Sequence, residues 1–108
     1  MRIIGTDIIM TRGDSESITV TVINRPLVDG DIIELTVRKC PEAKAKEIYK
    51  KVDTFDDGKA VIEIAPEDTE KMCFGDYVYD VQLTMADGTV TTIIKPSAFV
   101  IGKEVTYG

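Results

Sequence analysis

Gly75-Asp76-Tyr77-Val78-Tyr79-Asp80-Val81-Gln82-Leu83-Thr84-Met85-Ala86-Asp87-Gly88-Thr89-Val90-Thr91-Thr92-Ile93-Ile94-Lys95-Pro96-Ser97-Ala98-Phe99-Val100-Ile101 decides the fold. Two alternating runs flank Asp87-Gly88, a pair that tolerates the positive φ of a tight primed turn. Tyr77, Tyr79, Val81, Leu83 and Met85 share one face of the first run, and Val78, Asp80, Gln82 and Thr84 take the other. A ribbon with one oily face must cover something, so this stretch is expected to be the central hairpin of an all-β sandwich. Pro96 is expected to interrupt its return strand, because proline cannot donate to the ladder. Phe99 and Ile101 resume the alternation.

The same period recurs upstream. Ile18, Val20 and Val22 alternate with Thr19 and Thr21 over Ser15 to Asn24. Ile33, Leu35 and Val37 alternate with Glu34, Thr36 and Arg38 over Asp31 to Lys39. β-Branched residues in this pattern suit a half-buried pleated surface. A short first strand is expected around Asp7 to Thr11, as an edge or a swapped arm. Glu47 to Val52 reads as a lysine-bearing edge strand. Asp56-Asp57-Gly58 is expected to turn it into a hairpin with Lys59 to Ala65, whose Ala60, Ile62 and Ile64 face inward. Arg25 to Gly30, with Pro26 and Asp29-Gly30, and the Pro-broken Cys40 to Lys46 read as loops. Pro66 followed by Glu67, Asp68 and Glu70 predicts one short helical turn near 66–72, since proline suits the first helical position and acids suit a helix N-terminus. Strand signals about every ten residues favour a sandwich or barrel over a helix-crossed parallel sheet.

Composition narrows the function. At 108 residues the chain suits one domain, 1–108, and 44% apolar residues suffice for a core. Thirteen basic against nineteen acidic residues leave a net charge of -6, which argues against nucleic acid and anionic membranes. No apolar run approaches the length of a membrane helix. Met1-Arg2-Ile3-Ile4-Gly5 has no long apolar stretch after its charge, so no signal peptide is expected, and synthesis in the cytoplasm is.

Catalytic chemistry finds little to stand on. The chain has no His, which excludes Ser-His and Cys-His arrangements and any Cys/His zinc site. Cys40 follows the basic pair Arg38-Lys39, which can lower a thiol pKa, but no partner base is visible. Cys40 and Cys73 read as two reduced thiols, with a single cross-link between strand-end loops as the alternative. The glycines are scattered in turns and form no phosphate loop. Asp56-Asp57 and Asp87 carry oxygens, but their spacing matches no calcium loop, and Asp-Gly is what hairpins require. Arg12-Gly13-Asp14 coincides with an integrin-binding tripeptide and reads as a turn. The Tyr77/Tyr79 pair is expected to pack in the core rather than form a sugar platform. No catalytic, metal or cofactor residues are assigned.

Pro66-Glu67-Asp68-Thr69 followed by Gly75-Asp76-Tyr77-Val78-Tyr79 resembles the corner between strands E and F of immunoglobulin-like domains. The resemblance implies an immunoglobulin-like antiparallel β-sandwich of about seven to eight strands. It gives Tyr77 the tyrosine-corner role, with Tyr79 where that family often has Cys, and no matching Trp. The whole chain is also similar to small β-sandwich proteins of Gram-positive prophages. Arg12-Gly13-Asp14-Ser15, Gly75 to Leu83, Asp87 to Thr92, and Phe99-Val100-Ile101 through Glu104-Val105-Thr106 carry that likeness, which points to N-terminal docking domains of phage baseplate and tail-fibre proteins. It implies a non-enzymatic assembly module that works as a homo-oligomer or with other phage structural proteins, and is found in the virion once assembled. The expected contact stretches are Ile3 to Met10 and the outward residues of Glu47 to Val52. The alternative is a carbohydrate- or cell-surface-binding module.

Overall fold

The computed structural model describes residues 1–23 and 25–103; Asn24, and the Glu104-Val105-Thr106 part of the closing pattern, lie outside the described residues. The chain is all-β, with one helical turn. Its elements are β1 (Arg2–Ile4), β2 (Asp7–Thr11), β3 (Glu16–Val20), β4 (Ile32–Arg38), β5 (Ile48–Val52), β6 (Ala60–Ile64), α1 (Pro66–Thr69), β7 (Gly75–Thr84) and β8 (Val90–Gly102). A six-stranded sheet of order β1-β2-β8-β7-β4-β5 faces a two-stranded sheet, β3-β6.

The organising hairpin holds the centre. β7 and β8 pair antiparallel from Gly75↔Ile101 to Thr84↔Val90. Tyr77, Tyr79, Val81 and Leu83 are buried on the inner face, with Met85 packed at the margin. Ile33, Leu35 and Val37 of β4, Ile18 and Val20 of β3, and Ile62 and Ile64 of β6 complete one continuous core with Phe99 and Ile101. Period-two burial therefore has the predicted inward set on every strand read that way.

β3 pairs with β6 in one layer, and β5, β4, β7 and β8 lie side by side in the other. Tyr77 forms the corner expected of it. Its ring is 3% exposed and its hydroxyl donates to the Cys73 carbonyl at 2.9 Å. Tyr79 lies edge-on to Phe99 with ring centroids 5.9 Å apart. Gly75, at φ 127°, enters β7 in backbone space that side chains rarely adopt.

Five expectations need correction. The fold is not wholly antiparallel, because β2 runs parallel to β8, Ile8↔Phe99 to Thr11↔Gly102. The two strands come from opposite ends of the described chain, so no short loop fixes their relative direction. β2 is not the edge, since β1 pairs outside it, from Arg2↔Ile9 to Ile4↔Asp7. β5 and β6 are not hairpin partners. β5 pairs with β4 and β6 with β3, so residues 53–59 cross between the layers. The Asp56-Asp57-Gly58 turn does form, closed by two 3.0 Å backbone bonds between Asp56 and Lys59, but pairing stops there. Phe55 packs against the core just before it and draws the chain across. Pro96 does not end the return strand. β8 runs through it because a one-residue register shift between Tyr79 and Val81 places Lys95-Pro96 opposite Asp80 in a bulge, where no ladder donor is required. Finally, β3 stops at Val20, short of the expected run from Ser15 to Asn24, although Val22 still packs on the core.

Candidate functional site

The two layers are unequal, and this creates the candidate site. Two strands cannot cover the inner face of six; the β5 margin is covered, with Ile48 in the core and Lys50 meeting Asp68, and the β1 margin is left open. At one margin sits β1, exposed at all three residues, with Ile3 at 53% and Ile4 at 52%. Their side chains leave opposite faces of the strand, so neither face of β1 is fully covered. Ile3 lies opposite Ile8, which is 2% exposed, so burial collapses to solvent across a single pairing. The outer backbone groups of β1 lie at the sheet edge, the arrangement that accepts an added strand.

The β1-β2 corner is anchored to the body. The Tyr79 hydroxyl donates to the Thr6 carbonyl. The hydroxyls of Thr6 and Ser97 lie 2.6 Å apart, and Asp7 Oδ1 accepts from the Ala98 amide at 3.0 Å. Burial, then the charge of Asp7, pushes the Tyr79 hydroxyl above its ordinary pKa, so it keeps its proton and donates. Residues far apart in sequence thus hold the edge hairpin in place.

At the opposite margin β5 is guarded. Lys50 is paired with the core-facing Leu35 and so points inward at the edge, where its ammonium meets Asp68 of α1 at 2.7 Å. An inward charge at a sheet edge blocks strand addition, and here it is satisfied from the other layer. Desolvation raises the Asp68 pKa, but hydrogen bonds from Lys50 and the Ala65 amide together with Lys50's charge outweigh it, leaving the carboxyl below its usual range. On the outer face Tyr49 donates to Glu34, and Lys46 stacks over the Tyr49 ring at 4.3 Å.

Of the two expected contact stretches, Ile3 to Met10 shrinks to β1, because Ile8 and Met10 are each 2% exposed and belong to the core. The outward residues of Glu47 to Val52, Tyr49 and Lys51, are exposed as predicted, though Tyr49 is engaged with Glu34 and Lys46. Tyr77 and Tyr79 form no platform, since both face inward. Arg12-Gly13-Asp14 is a turn. Gly13 has φ 84°, its amide bonds the Thr69 hydroxyl at 2.8 Å, and Arg12 stacks on Phe74 at 4.0 Å. Cys40 and Cys73 are exposed free thiols. Asp87 accepts from the Thr89 amide at 2.9 Å in its own turn. Among the described residues no group of three or more Cys, Asp or Glu gathers to hold a metal, and no helix is long and apolar enough to cross a membrane.

Two features escaped the sequence. Arg25 and Asp31 form a bidentate pair at 2.8 and 3.1 Å that closes the loop before β4, and the hydrogen bond from Arg25, joined by the Val28 amide, lowers the Asp31 pKa. A cation and an acid flanking Pro26 and Asp29-Gly30 were the available signal. Phe74 is the second. It is 39% exposed beside the Tyr77 corner, and Lys103 lies 5.6 Å from its ring centre.

No family model, curated protein or solved structure matches this chain.

Proposed function

We propose that the chain is a non-enzymatic structural module that docks to protein partners, itself included, as a component of a phage tail or baseplate. The observation that carries the docking reading is β1, an exposed edge strand whose Ile3 and Ile4 lie open beside Arg2, on a large sheet whose opposite margin is guarded. Ribbons of this kind add a strand from a partner, with main-chain hydrogen bonds giving affinity and alternate side chains giving specificity. The anchoring of the β1-β2 corner by Tyr79, Ser97 and the Ala98 amide favours a preorganised edge over a frayed arm. The phage setting rests on the resemblance of the segments quoted above. The carbohydrate-binding alternative draws no support from the tyrosines, which lie in the core.

Light scattering after size exclusion, run as a concentration series, tests the reading. The wild-type chain is expected to exceed monomer mass, and Ile3→Lys with Ile4→Lys to return it toward the monomer. A strict monomer at millimolar concentration counts against self-docking, and specific binding on a glycan array promotes the alternative.

A further inference from the structure

A second surface lies at the two ends of the sandwich, away from the β1 edge. At one end the tyrosine corner holds Cys73 and presents Phe74 outward, 39% exposed. Arg12 stacks on that ring at 4.0 Å and Lys103 approaches it at 5.6 Å. The result is an aromatic knob flanked by cations. At the other end, where residues 53–59 cross between the layers, lies an open groove of about 510 Å³. Val52, Phe55 and Val61 give it apolar walls, and Asp53 and Asp56 add carboxylates, with Lys51 alongside. Val61 is 39% exposed although it sits on a strand. Nearby turns add charges, among them exposed Lys59, which pairs with Asp56 through the backbone. Exposed Asp57 follows Asp56, and the loop carrying exposed Asp29 is tied to this turn by the Leu27 amide, which donates to the Gly58 carbonyl at 3.0 Å.

Strand register places these features at opposite ends. Gly75, just after the knob, pairs with Ile101, while Val52 at the groove pairs with Ile33, one residue from the Ile32↔Thr84 terminus. One copy therefore cannot close its knob on its own groove. We infer that the groove receives the Phe74 knob of a second copy, so that copies associate head to tail. The match is in charge and in polarity: apolar ring to apolar wall, Lys103 to Asp53 and Asp56. For a chain of net charge -6, most approaches of two copies are repulsive, and this one brings opposite charges together. A contact between two different surfaces closes into a ring or extends as a filament. The inference rests on the assembly reading for its choice of a second copy, but it uses different residues.

The test uses two variants of the full chain. The groove variant is Asp53→Lys with Asp56→Lys, and the knob variant is Phe74→Ser with Lys103→Glu. Each alone is expected to self-associate at least about tenfold more weakly, as for loss of an interface anchor. Mixed, they keep one intact groove and one intact knob, and should form a capped 1:1 pair of twice the monomer mass. Wild-type mass retained by both variants, or no pair on mixing, overturns the inference. Should the knob variant fail to fold, Lys103→Glu alone replaces it. Loss of association in the Ile3→Lys/Ile4→Lys variant, with the groove and knob variants unaffected, rejects this contact and leaves the edge reading standing. The reverse result rejects the edge and keeps the head-to-tail contact.

Discussion

The two margins of the large sheet solve the same problem in opposite ways. β5 carries lysines, turns Lys50 inward onto Asp68, and ties Tyr49 to Glu34. β1 offers Ile3 and Ile4 to solvent on a strand of three residues. β1 carries one charge of its own, Arg2, yet leaves both isoleucines open, whereas β5 turns a charge inward. The difference teaches that a bare edge beside a guarded one is selective. Within the large sheet β1 is the margin left open to an added strand and β5 the margin closed to it.

The largest expected effect separates core from edge. Ile8→Ala, one pairing in from β1, should lose about 2–5 kcal/mol in urea unfolding. Ile3→Ala should stay within about 0.5 kcal/mol, as surface substitutions do. Equal losses would place β1 in the core and dissolve the contrast.

Next in size is the anchor. Tyr79→Phe keeps the ring against Phe99 but removes the donor to Thr6. A loss of about 1 kcal/mol is expected, with faster proteolysis near Gly5-Thr6. Unchanged cleavage there would show that the hairpin does not depend on this bond.

The guarded margin has a pH signature. Asp68 has a folded pKa below its unfolded one, so its pairing contributes stability that is fully present above about pH 4 and lost as pH falls through the depressed folded value. Asp31, lowered by its hydrogen bond from Arg25, acts with the same sign. Lys50→Met should flatten the Asp68 part of the acid limb in a pH series of unfolding midpoints, and leave the Asp31 part. An unaltered limb would remove Lys50 from the account. The Lys50–Asp68 pair, about a quarter exposed on each side, should itself contribute no more than about 1 kcal/mol.

What was legible in the sequence follows from range. Alternation is local, so the inward residues of β4, β6 and β7 could be read directly from their period, and the place of the Asp87-Gly88 turn from its chemistry. The turn is not the primed type expected, because Gly88 but not Asp87 has positive φ and the Gly88 amide donates to the Met85 carbonyl at 2.9 Å. The tyrosine corner was legible because donor and acceptor lie four residues apart. Partner choice is not local. Nothing in Ile48–Val52 or Ala60–Ile64 says that a strand pairs backward to β4 or across to β3, and a turn that forms as expected still joined two different layers. β2 beside β8 joins residues about ninety apart, and its direction leaves no trace in either segment. Pro96 misled because a bulge removes the need for its missing donor. The edge site was half legible: an apolar N-terminal segment was visible, but only the pairing of β1 outside β2 tells which isoleucines are core and which are bare.

Hydrogen exchange at the Arg2, Ile3 and Ile4 amides, compared between dilute and associated protein, tests edge docking most directly. The edge-facing amides should exchange freely when dilute and become protected on association, while β5 protection stays constant. Protection that rises at β5 and not at β1 would contradict the account.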